Sequence, residues 1–312
     1  MKLLPIVFIG TPEFGVPTLK KLAEHNYKPE VCITQPDKPQ GRRQRLTPPA
    51  VKIAAKNLDI PVWQPENVND ASIVQKLREI NPKVIIVVAY GAFLKKSIRE
   101  LPDYGCLNLH PSLLPKYRGA APINYALFNG DNYTGNTVFR LTAKMDAGPI
   151  LYQNREPIHE SENYTQLYER LSLVGAEDVL KTLSLLETDD VVYRKQNESE
   201  ATYSNKLNKK DMIIAWDNDA HTINNKVRGL ATKPGAITYF DNKILKIIQT
   251  ELSENKSKKE PGTVVEIRKN AGIVVATETN DLLLTEVQPQ GKKIMSAYAF
   301  TLGSDIKVGD SF

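Results

Sequence analysis

The sequence predicts an α/β protein: a Rossmann-like, doubly wound and mostly parallel sheet, followed by a smaller C-terminal β-barrel of the oligonucleotide-binding (OB-like) type. Three observations predict this arrangement. Short apolar runs alternate with amphipathic helical segments in the first part of the chain, which is typical of βαβ units. Residues 83–90 are apolar on both faces, as in a central parallel strand. Near the C-terminus, short alternating runs recur with Gly and Pro between them, which favours a small barrel.

Composition narrows the class of protein. The chain has 312 residues, 41% hydrophobic and 25% charged, which is enough for two domains and ordinary for a soluble globular protein. Its two cysteines lie in apolar runs, which argues against a disulfide framework and for a reducing compartment. Residues 1–10 read as a first strand and not as a signal peptide, and no stretch is long enough to span a bilayer. We therefore expect a cytoplasmic protein with no membrane partner.

The elements of the first domain follow from apolar periodicity. Strands are predicted at residues 6–10, 31–34, 61–63, 83–90, 104–110, 136–142 and 150–156. Helices are predicted at residues 16–23, 51–58, 73–80, 95–100, 123–129 (closed by Gly130) and 164–186. Residues 10–15 contain neither Gly-x-Gly-x-x-Gly nor Gly-Lys-Ser/Thr, so they predict a tight strand-to-helix turn and not a phosphate site.

The rest of the chain is predicted in the same way. Residues 187–205 are polar without periodicity and are interpreted as a linker with short extended pieces. A helix is predicted at residues 219–228, and strands at 236–240, 244–249, 262–268, 272–276 and 282–288. The predicted domains are therefore 1–188, a linker at 189–206, and 207–312.

Residues 35–49 carry a concentration of positive charge. This stretch contains four prolines and four basic side chains, Lys38, Arg42, Arg43 and Arg45, with almost no apolar content, which predicts an exposed loop. Guanidinium groups at its tip could bind phosphates, but a solvated flexible loop has the same composition. The net charge of +5 permits a polyanionic partner without requiring one.

The most informative stretch is residues 104–122. Asn108 and His110 leave a predicted strand end on one face, next to a loop that three prolines and a glycine keep irregular. An amide and an imidazole can donate N–H groups to a developing oxyanion, and an imidazole can also take a proton near neutral pH. Asp146, at a predicted hairpin corner, is the candidate carboxylate to orient the ring. Loop capping by Asn108 and His110 and a plain turn at Asp146 remain the structural alternatives.

Two other chemistries lack support. None of the histidines outside this stretch belongs to a group of paired acids or cysteines with the spacing of metal ligands, so a zinc site is not expected. No Gly-x-Ser-x-Gly elbow surrounds Ser112, so a serine nucleophile is not expected either.

Four motifs carry a resemblance to a known family. Asn108-x-His110, Ser112-Leu113-Leu114-Pro115, Tyr117-Arg118-Gly119 and Met145-Asp146-Ala147-Gly148 resemble the folate-dependent formyltransferases, and the chain is most similar to the members that act on methionyl initiator tRNA. The resemblance extends over the whole chain. Residues 231–236 depart from it, because these proteins often have an Asn-Pro-Trp-Pro-like segment there.

The resemblance implies a reaction and a set of site residues. The formyl donor would be 10-formyltetrahydrofolate, and the acceptor would be the α-amino group of methionine on initiator tRNA. Asn108, His110 and Asp146 would be catalytic, with Asp146 supporting the imidazole. The donor site would include the run Ser112, Leu113, Leu114 and Pro115, together with Tyr90 and Gly91 at the neighbouring strand end. The tRNA would contact Lys38, Arg42, Arg43 and Arg45, and no metal is implied.

Two alternative functions remain at this point. A formyltransferase could act on a nucleotide-linked amino sugar, because such enzymes share the core motifs, or the chain could be a non-catalytic RNA-binding protein. The basic stretch at residues 38–49 favours an RNA acceptor over a sugar. A monomer is expected.

Overall fold

The computed structural model describes residues 4–41 and 44–312. The chain divides into two compact units that are interleaved along the sequence. The first unit comprises Met1–Gly119, Thr134–Pro157 and Tyr168–Tyr203. The second comprises Ala120–Tyr133, Ile158–Leu167 and Ser204–Phe312. The long helix that was predicted to end the first domain therefore contributes its first turn to the second unit.

The first unit is built on a parallel-centred sheet. The strands up to residue 157, in chain order, are β1 (Ile6–Gly10), β2 (Val31–Ile33), β3 (Lys38–Gln40), β4 (Arg45–Thr47), β5 (Val62–Trp63), β6 (Val84–Val88), β7 (Cys106–His110), β8 (Arg118–Gly119), β9 (Tyr133–Arg140) and β10 (Ile150–Pro157). Seven of them form one sheet in the order β10-β9-β7-β6-β1-β2-β5. Strands β7, β6, β1, β2 and β5 pair in parallel, whereas β9 is antiparallel to β7. The chain leaves β1 toward both edges, so the predicted doubly wound topology is confirmed.

Helices connect these strands. The α-helices are α1 (Val16–Glu24), α2 (Ala50–Asn57), α3 (Ala71–Ile80), α4 (Lys96–Arg99), α5 (Pro122–Phe128), α6 (Tyr164–Glu187), α7 (Ala220–Leu230) and α8 (Ala297–Leu302). Every residue of β1 and of β6 is buried, which follows from their unbroken Val, Ile and Phe content, because covering a sheet on both faces requires apolar side chains on both. None of the helices in the described part of the chain is both long enough and apolar enough to cross a membrane.

The structure shows what two segments predicted to be irregular contain. The stretch predicted as an exposed loop contains two paired strands, because β3 and β4 form a hairpin in antiparallel register. Gly41, after β3, and Gln44, before β4, adopt left-handed backbone angles (φ 69° and 47°), and Pro39 is tolerated because a two-stranded ribbon leaves one edge of each strand unpaired. The polar stretch after α6 contains a 3₁₀ turn, Glu198–Glu200, and a short strand, β11 (Tyr203–Ser204).

The second unit contains an antiparallel sheet where an OB-like β-barrel was predicted. Its strands are β12 (Ala236–Phe240), β13 (Lys243–Leu252), β14 (Val264–Arg268), β15 (Gly272–Val275), β16 (Leu282–Pro289) and β17 (Met295–Ser296). They pair in the order β12-β13-β16-β15-β14, with β17 beside β16, so a smaller C-terminal β domain is confirmed. The short elements β17 and α8 were not predicted.

The core of this unit lies between the sheet and helix α7. The side chains of Ile223 and Val227 from the helix pack with strand residues such as Ile247 and Leu284, all buried. Asp219 begins the helix as its N-cap by accepting a hydrogen bond from the Thr222 N–H at 2.9 Å. A cap of this kind typically stabilises a helix by about 1 kcal/mol.

Candidate functional site

The carboxyl ends of β6 and β7 lie side by side. Val87 pairs with Asn108 in parallel register, so the residues that follow β6 and the polar end of β7 meet at one edge of the sheet. This confirms the predicted adjacency of the segment at Tyr90 and the motif at Asn108. Ligands of open α/β sheets bind at such carboxyl ends.

His110 is buried in a defined orientation at the end of β7. Its side chain is 6% exposed, and its ring packs edge-on against Phe139 with the ring centroids 6.4 Å apart. Its Nε2 lies 2.9 Å from the carbonyl oxygen of Tyr117. A carbonyl oxygen only accepts, so Nε2 carries the proton, and in the neutral ring Nδ1 holds the lone pair. The Tyr117 carbonyl, and not Asp146, therefore sets the tautomer.

Asp146 faces the other nitrogen of the same ring. Its Oδ2 lies 4.0 Å from His110 Nδ1 and accepts a hydrogen bond from the Gly119 N–H at 2.8 Å. The 4.0 Å separation is too long for a direct hydrogen bond. In the neutral ring Nδ1 and the carboxylate oxygen are both acceptors, so Asp146 can accept from Nδ1 only when the ring is protonated. The structure thus brings Asp146 to His110 across a long sequence separation, as expected.

Asn108 lies two residues before His110 on β7. It is half-buried on β7, with Val87 of β6 on one side and Phe139 of β9 on the other. Because side chains alternate along a strand, its amide shares a face with the His110 ring. Asn108 and His110 therefore share one face at the end of β7, and Asp146, in the turn between β9 and β10, faces the His110 ring.

Sequence reasoning missed a buried network next to the site. The guanidinium of Arg118 is fully buried and donates to the Gln196 side chain and to both carboxylate oxygens of Glu198. Glu198 also binds Lys144. Hydrogen bonds from Arg118 and then from Lys144 lower the pKa of the Glu198 carboxyl to about 2. Gln196 lies in a polar stretch without periodicity, so no sequence signal distinguishes it from a linker residue.

The predicted donor-site residues divide into buried and accessible ones. Tyr90, Ser112 and Leu114 have 3%, 0% and 3% of their surface exposed. The Ser112 hydroxyl donates to the Lys116 carbonyl, so it shapes the loop and does not face a ligand. Leu113 and Pro115 are half-buried, and Gly91 is exposed.

Thr137 of β9 holds the Ser112-Leu113-Leu114-Pro115 run in place. Its hydroxyl donates to the Ser112 carbonyl at 2.6 Å and accepts from the Leu114 N–H at 3.2 Å and from Gln153 Nε2 at 2.9 Å. Gln153 also donates to the Leu114 carbonyl at 3.0 Å. Buried, hydrogen-bonded backbone of this kind keeps a loop rigid beside the site.

The hairpin β3–β4 carries the described basic residues that were predicted to bind tRNA. Lys38 and Arg45 are exposed, and the pairing of Lys38 with Thr47 places both on one face of the hairpin. The other predicted residues, Arg42 and Arg43, lie outside the described residues. Leu46, on the opposite face, is 68% exposed.

The base of the hairpin is fixed by a carboxylate. Asp37 accepts from Lys52 at 2.7 and 2.8 Å and from Gln64 at 2.7 Å. The hydrogen bonds from Gln64 and then Lys52 lower the pKa of the Asp37 carboxyl. Asp37 is therefore ionised at neutral pH, and its hydrogen bonds hold the chain at the start of the hairpin.

Neither metal ligands nor reactive thiols were predicted. Over residues 4–41 and 44–312, no group of three or more His, Cys, Asp or Glu side chains is placed to hold a metal ion. Cys32 and Cys106 are both buried, and burial raises the pKa of each thiol to about 12. At neutral pH both cysteines are therefore protonated and packed as small apolar groups.

Comparison with known proteins covers almost the whole chain. The formyl transferase family model matches residues 4–183, and the model of the formyl transferase C-terminal domain matches residues 206–305. The methionyl-tRNA formyltransferase of Thermodesulfovibrio yellowstonii is 42% identical over 308 residues, 98% of each chain. That of Geotalea daltonii is 40% identical over 304 residues, 97% of this chain and 96% of the relative.

A solved structure shares the fold. The N-formyltransferase of Helicobacter canadensis, in complex with folinic acid and dTDP-3-aminofucose, matches with a TM-score of 0.69 and 18% identity, over 92% of this chain and 100% of that one. At that identity the likeness concerns the fold.

Proposed function

The chain belongs to the formyl transferase family, and from that premise we propose that it transfers a formyl group from 10-formyltetrahydrofolate to the α-amino group of methionyl initiator tRNA. The observation that carries the mechanism is the position of His110, whose Nε2 is engaged by a backbone carbonyl while Nδ1 lies 4.0 Å from the Asp146 carboxylate. This arrangement leaves Nδ1 as the atom that takes and returns a proton.

The reaction requires two kinds of assistance. As the amine nitrogen attacks the formyl carbon, the carbonyl oxygen becomes negative, and the Asn108 amide N–H stabilises it; loss of one such donor typically costs on the order of 3 kcal/mol. The attacking nitrogen must also lose a proton, which passes to His110 Nδ1 directly or through a water. The resulting imidazolium has Asp146 facing its new N–H, which stabilises the charge.

Collapse of the tetrahedral intermediate completes the exchange. The bond between the formyl carbon and N10 of the folate breaks, and the proton held at Nδ1 returns to N10. The products are N-formylmethionyl-tRNA and tetrahydrofolate. Atoms balance without a covalent formyl-enzyme, and no metal is required in this scheme.

The carboxyl end of β6 supports a binding site for the donor. Ala89, Gly91 and Ala92 are exposed there, and no heavy atom lies within 4 Å of the position that a Cβ would take at Gly91. Small residues with open backbone beside Asn108 allow a flat ring to approach the strand ends. Leu113 and Pro115 supply half-buried apolar surface, whereas the side chains of Tyr90, Ser112 and Leu114 act by packing the loop.

The hairpin supports a polyanionic acceptor. Lys38 and Arg45 present positive charge on one face of a projecting ribbon, and phosphate contacts of this kind dominate affinity for nucleic acids. We assign Arg42 and Arg43 to the same tRNA-binding surface. An enzyme of this activity works in the cytoplasm, where charged tRNA is used, and we propose that it acts as a monomer.

Neither alternative function is favoured. Relatives named methionyl-tRNA formyltransferase are about 40% identical to this chain over at least 97% of it, whereas the sugar-acting protein shares the fold at 18% identity. A non-catalytic RNA-binding protein would not need a buried imidazole of fixed tautomer facing a carboxylate.

The test is transfer of labelled formyl from 10-formyltetrahydrofolate to charged tRNA. We expect methionyl initiator tRNA to be formylated, elongator methionyl-tRNA to be a poor acceptor, and a nucleotide-linked amino sugar to be inactive. Formylation of the sugar with no product on initiator tRNA would refute the proposal.

A further inference from the structure

We propose that Gln196 is a positioning residue for formyl transfer, acting through Asp146. It lies in the polar stretch after α6, outside the four motifs that define the site. The inference rests on the proposed function for its kinetic test, but its structural test does not depend on that function.

The side chain of Gln196 makes every hydrogen bond that an amide can make. Its Oε1 accepts from Arg118 Nε at 3.0 Å and from Arg118 Nη2 at 2.8 Å. Its Nε2 donates to the carbonyl oxygens of Asp146 and Gly148, both at 2.8 Å. An amide has two N–H donors and two acceptor lone pairs, so the group is saturated. Gln196 is 5% exposed, and the Arg118 bonds and the bond to Gly148 lie in buried surroundings.

The turn that Gln196 holds is one that the backbone does not favour by itself. Asp146 has a positive φ of 46°, in the left-handed region that is unfavourable for a residue with a side chain. Gly148 packs so tightly that a Cβ would meet the Arg140 carbonyl oxygen. Such conformations persist where the surroundings hold them. Gln196 does this by binding the carbonyl on each side of Ala147.

The position of the Asp146 carboxylate follows from that turn. With the turn held, Asp146 Oδ2 reaches the Gly119 N–H at 2.8 Å and faces His110 Nδ1 at 4.0 Å. Misplacement of a catalytic group by about 1 Å can reduce a rate on the order of a hundredfold. Gln196 therefore sets a distance on which proton transfer depends without touching either substrate.

The segment that contains Gln196 also holds the residues that bind the His110 ring. Thr202 accepts from the Tyr117 N–H through its hydroxyl at 2.8 Å and from the Arg118 N–H through its carbonyl at 2.9 Å. The Tyr117 carbonyl is the acceptor for His110 Nε2. Residues 196–202 thus fix both the tautomer of the imidazole and the place of its carboxylate, and Arg118 joins the two through Gln196.

The substitution Gln196→Glu removes the hydrogen bonds that Gln196 donates and keeps those that it accepts. A glutamate of the same shape still accepts from Arg118, but it cannot donate to Asp146 and Gly148 and would set a negative oxygen against two carbonyl oxygens. The turn at Asp146 would loosen while the Arg118 contact remains. Gln75→Glu, at an exposed glutamine on α3, makes the same chemical change as a control.

The kinetic test compares kcat with KM. For Gln196→Glu we expect kcat to fall by about 10- to 100-fold, with KM for folate and for tRNA changed by less than about threefold, and Gln75→Glu to match the unsubstituted protein. In an Asp146→Ala background, adding Gln196→Glu should lower kcat by less than about twofold, because two residues that act as a unit are not additive. If Gln196→Glu lowered kcat by the same factor in the Asp146→Ala background as in the unsubstituted protein, the proposal would be overturned.

The structural test is hydrogen–deuterium exchange at the Gly119 amide, without substrates. We expect Gln196→Glu and Asp146→Ala each to accelerate exchange of a peptide that contains Gly119, and the double substitution to add nothing. Unchanged exchange in Gln196→Glu would overturn the positioning role. If Gln196→Glu does not fold, Gln196→Met, which removes the same donors without adding charge, takes its place. If the unsubstituted protein transferred no formyl group but the variants showed the expected exchange, the proposed function would be refuted and the positioning role of Gln196 would stand.

Discussion

The strand end at β7 and the hairpin β3–β4 present their polar groups in opposite ways. At β7, His110 and Asp146 are mostly buried, and backbone groups hold both side chains. On the hairpin, Lys38 and Arg45 are exposed, and order comes from Asp37 at the base. Chemistry on a small electrophile requires groups that are fixed and partly shielded from water. Binding a polyanion requires charges that reach out from a stable base.

The largest effect is expected from substitution of His110, the buried residue at the end of β7. His110→Ala removes the atom that takes and returns the proton, and general acid–base catalysis of this kind is typically worth 10²–10⁴ in rate. We expect kcat in single-turnover transfer to fall by about 10³-fold, with tRNA affinity within about threefold of normal. His221→Ala, at an exposed position on α7, is the control. A loss smaller than about tenfold would contradict the assignment.

Substitutions of the exposed basic residues on the hairpin β3–β4 should change KM and leave kcat unchanged. Arg45→Ala removes one charge from the basic face of the hairpin, and we expect the KM for tRNA to rise by about fivefold while the KM for folate and kcat stay unchanged. The dependence of log affinity on log salt concentration should also become less steep by about 1. Arg78→Ala removes the same charge from an exposed site on α3 and serves as the control. An equal rise in the KM for tRNA and in the KM for folate would show that the hairpin does not serve tRNA binding specifically.

A smaller effect is expected when the base of the hairpin is loosened. Asp37→Asn keeps the shape of the side chain but removes the charge that binds Lys52, and ion pairs near the surface contribute little to stability. We expect the KM for tRNA to rise by about twofold, with kcat unchanged. Faster exchange of backbone amides in residues 38–47 should accompany it, and an unchanged exchange rate would show that the base does not order the hairpin.

The smallest effect concerns a buried carboxylate of the same unit that lies outside the site. Burial raises the pKa of Asp178 to about 6, with Asn136 and Asn154 opposing that rise and Glu156 and Glu177 adding to it. Its Oδ2 is buried without a hydrogen-bond partner. Because the folded state binds this proton more tightly than the unfolded chain, the contribution to stability is full below about pH 4 and is lost as the pH rises through 6.

Asp178→Asn should therefore flatten the pH dependence of the melting temperature. Between pH 5 and pH 7.5 we expect the Tm of the unsubstituted protein to fall by a few degrees more than that of the variant, measured by circular dichroism. Formyl transfer at pH 7.5 should be unchanged, since Asp178 makes no contact with the site residues. If Asp178→Asn lost activity while its Tm stayed the same as that of the unsubstituted protein, Asp178 would have a role in catalysis that this prediction excludes.

The sequence predicted the parts of the molecule in which neighbours along the chain are also neighbours in space. The buried strands β6 and β7 follow from unbroken apolar runs, and their parallel pairing places the end of β6 beside Asn108. The helix α6 follows from its long apolar period. The four motifs supplied His110 and Asp146 through family resemblance, although nothing in the residues between them indicates that the two meet.

The parts that sequence reasoning missed depend on contacts between distant segments. Arg118 would ordinarily be assigned to the surface, because arginine is rarely fully buried unless it is paired; its partners, Gln196 and Glu198, lie far along the chain in a stretch without periodicity. The hairpin was interpreted as a loop because prolines weaken strand predictions, and a ribbon of two strands tolerates them.

The contacts of residues 196–202 have a practical consequence for making chimeras within this family. A junction placed at the end of α6, near residue 188, would take residues 196–202 from a different parent than the catalytic strand ends and the Arg118 guanidinium that they contact. A junction after Tyr203 keeps these contacts within one parent sequence. Exchange of C-terminal segments between relatives should therefore preserve turnover with the later junction and lose it with the earlier one.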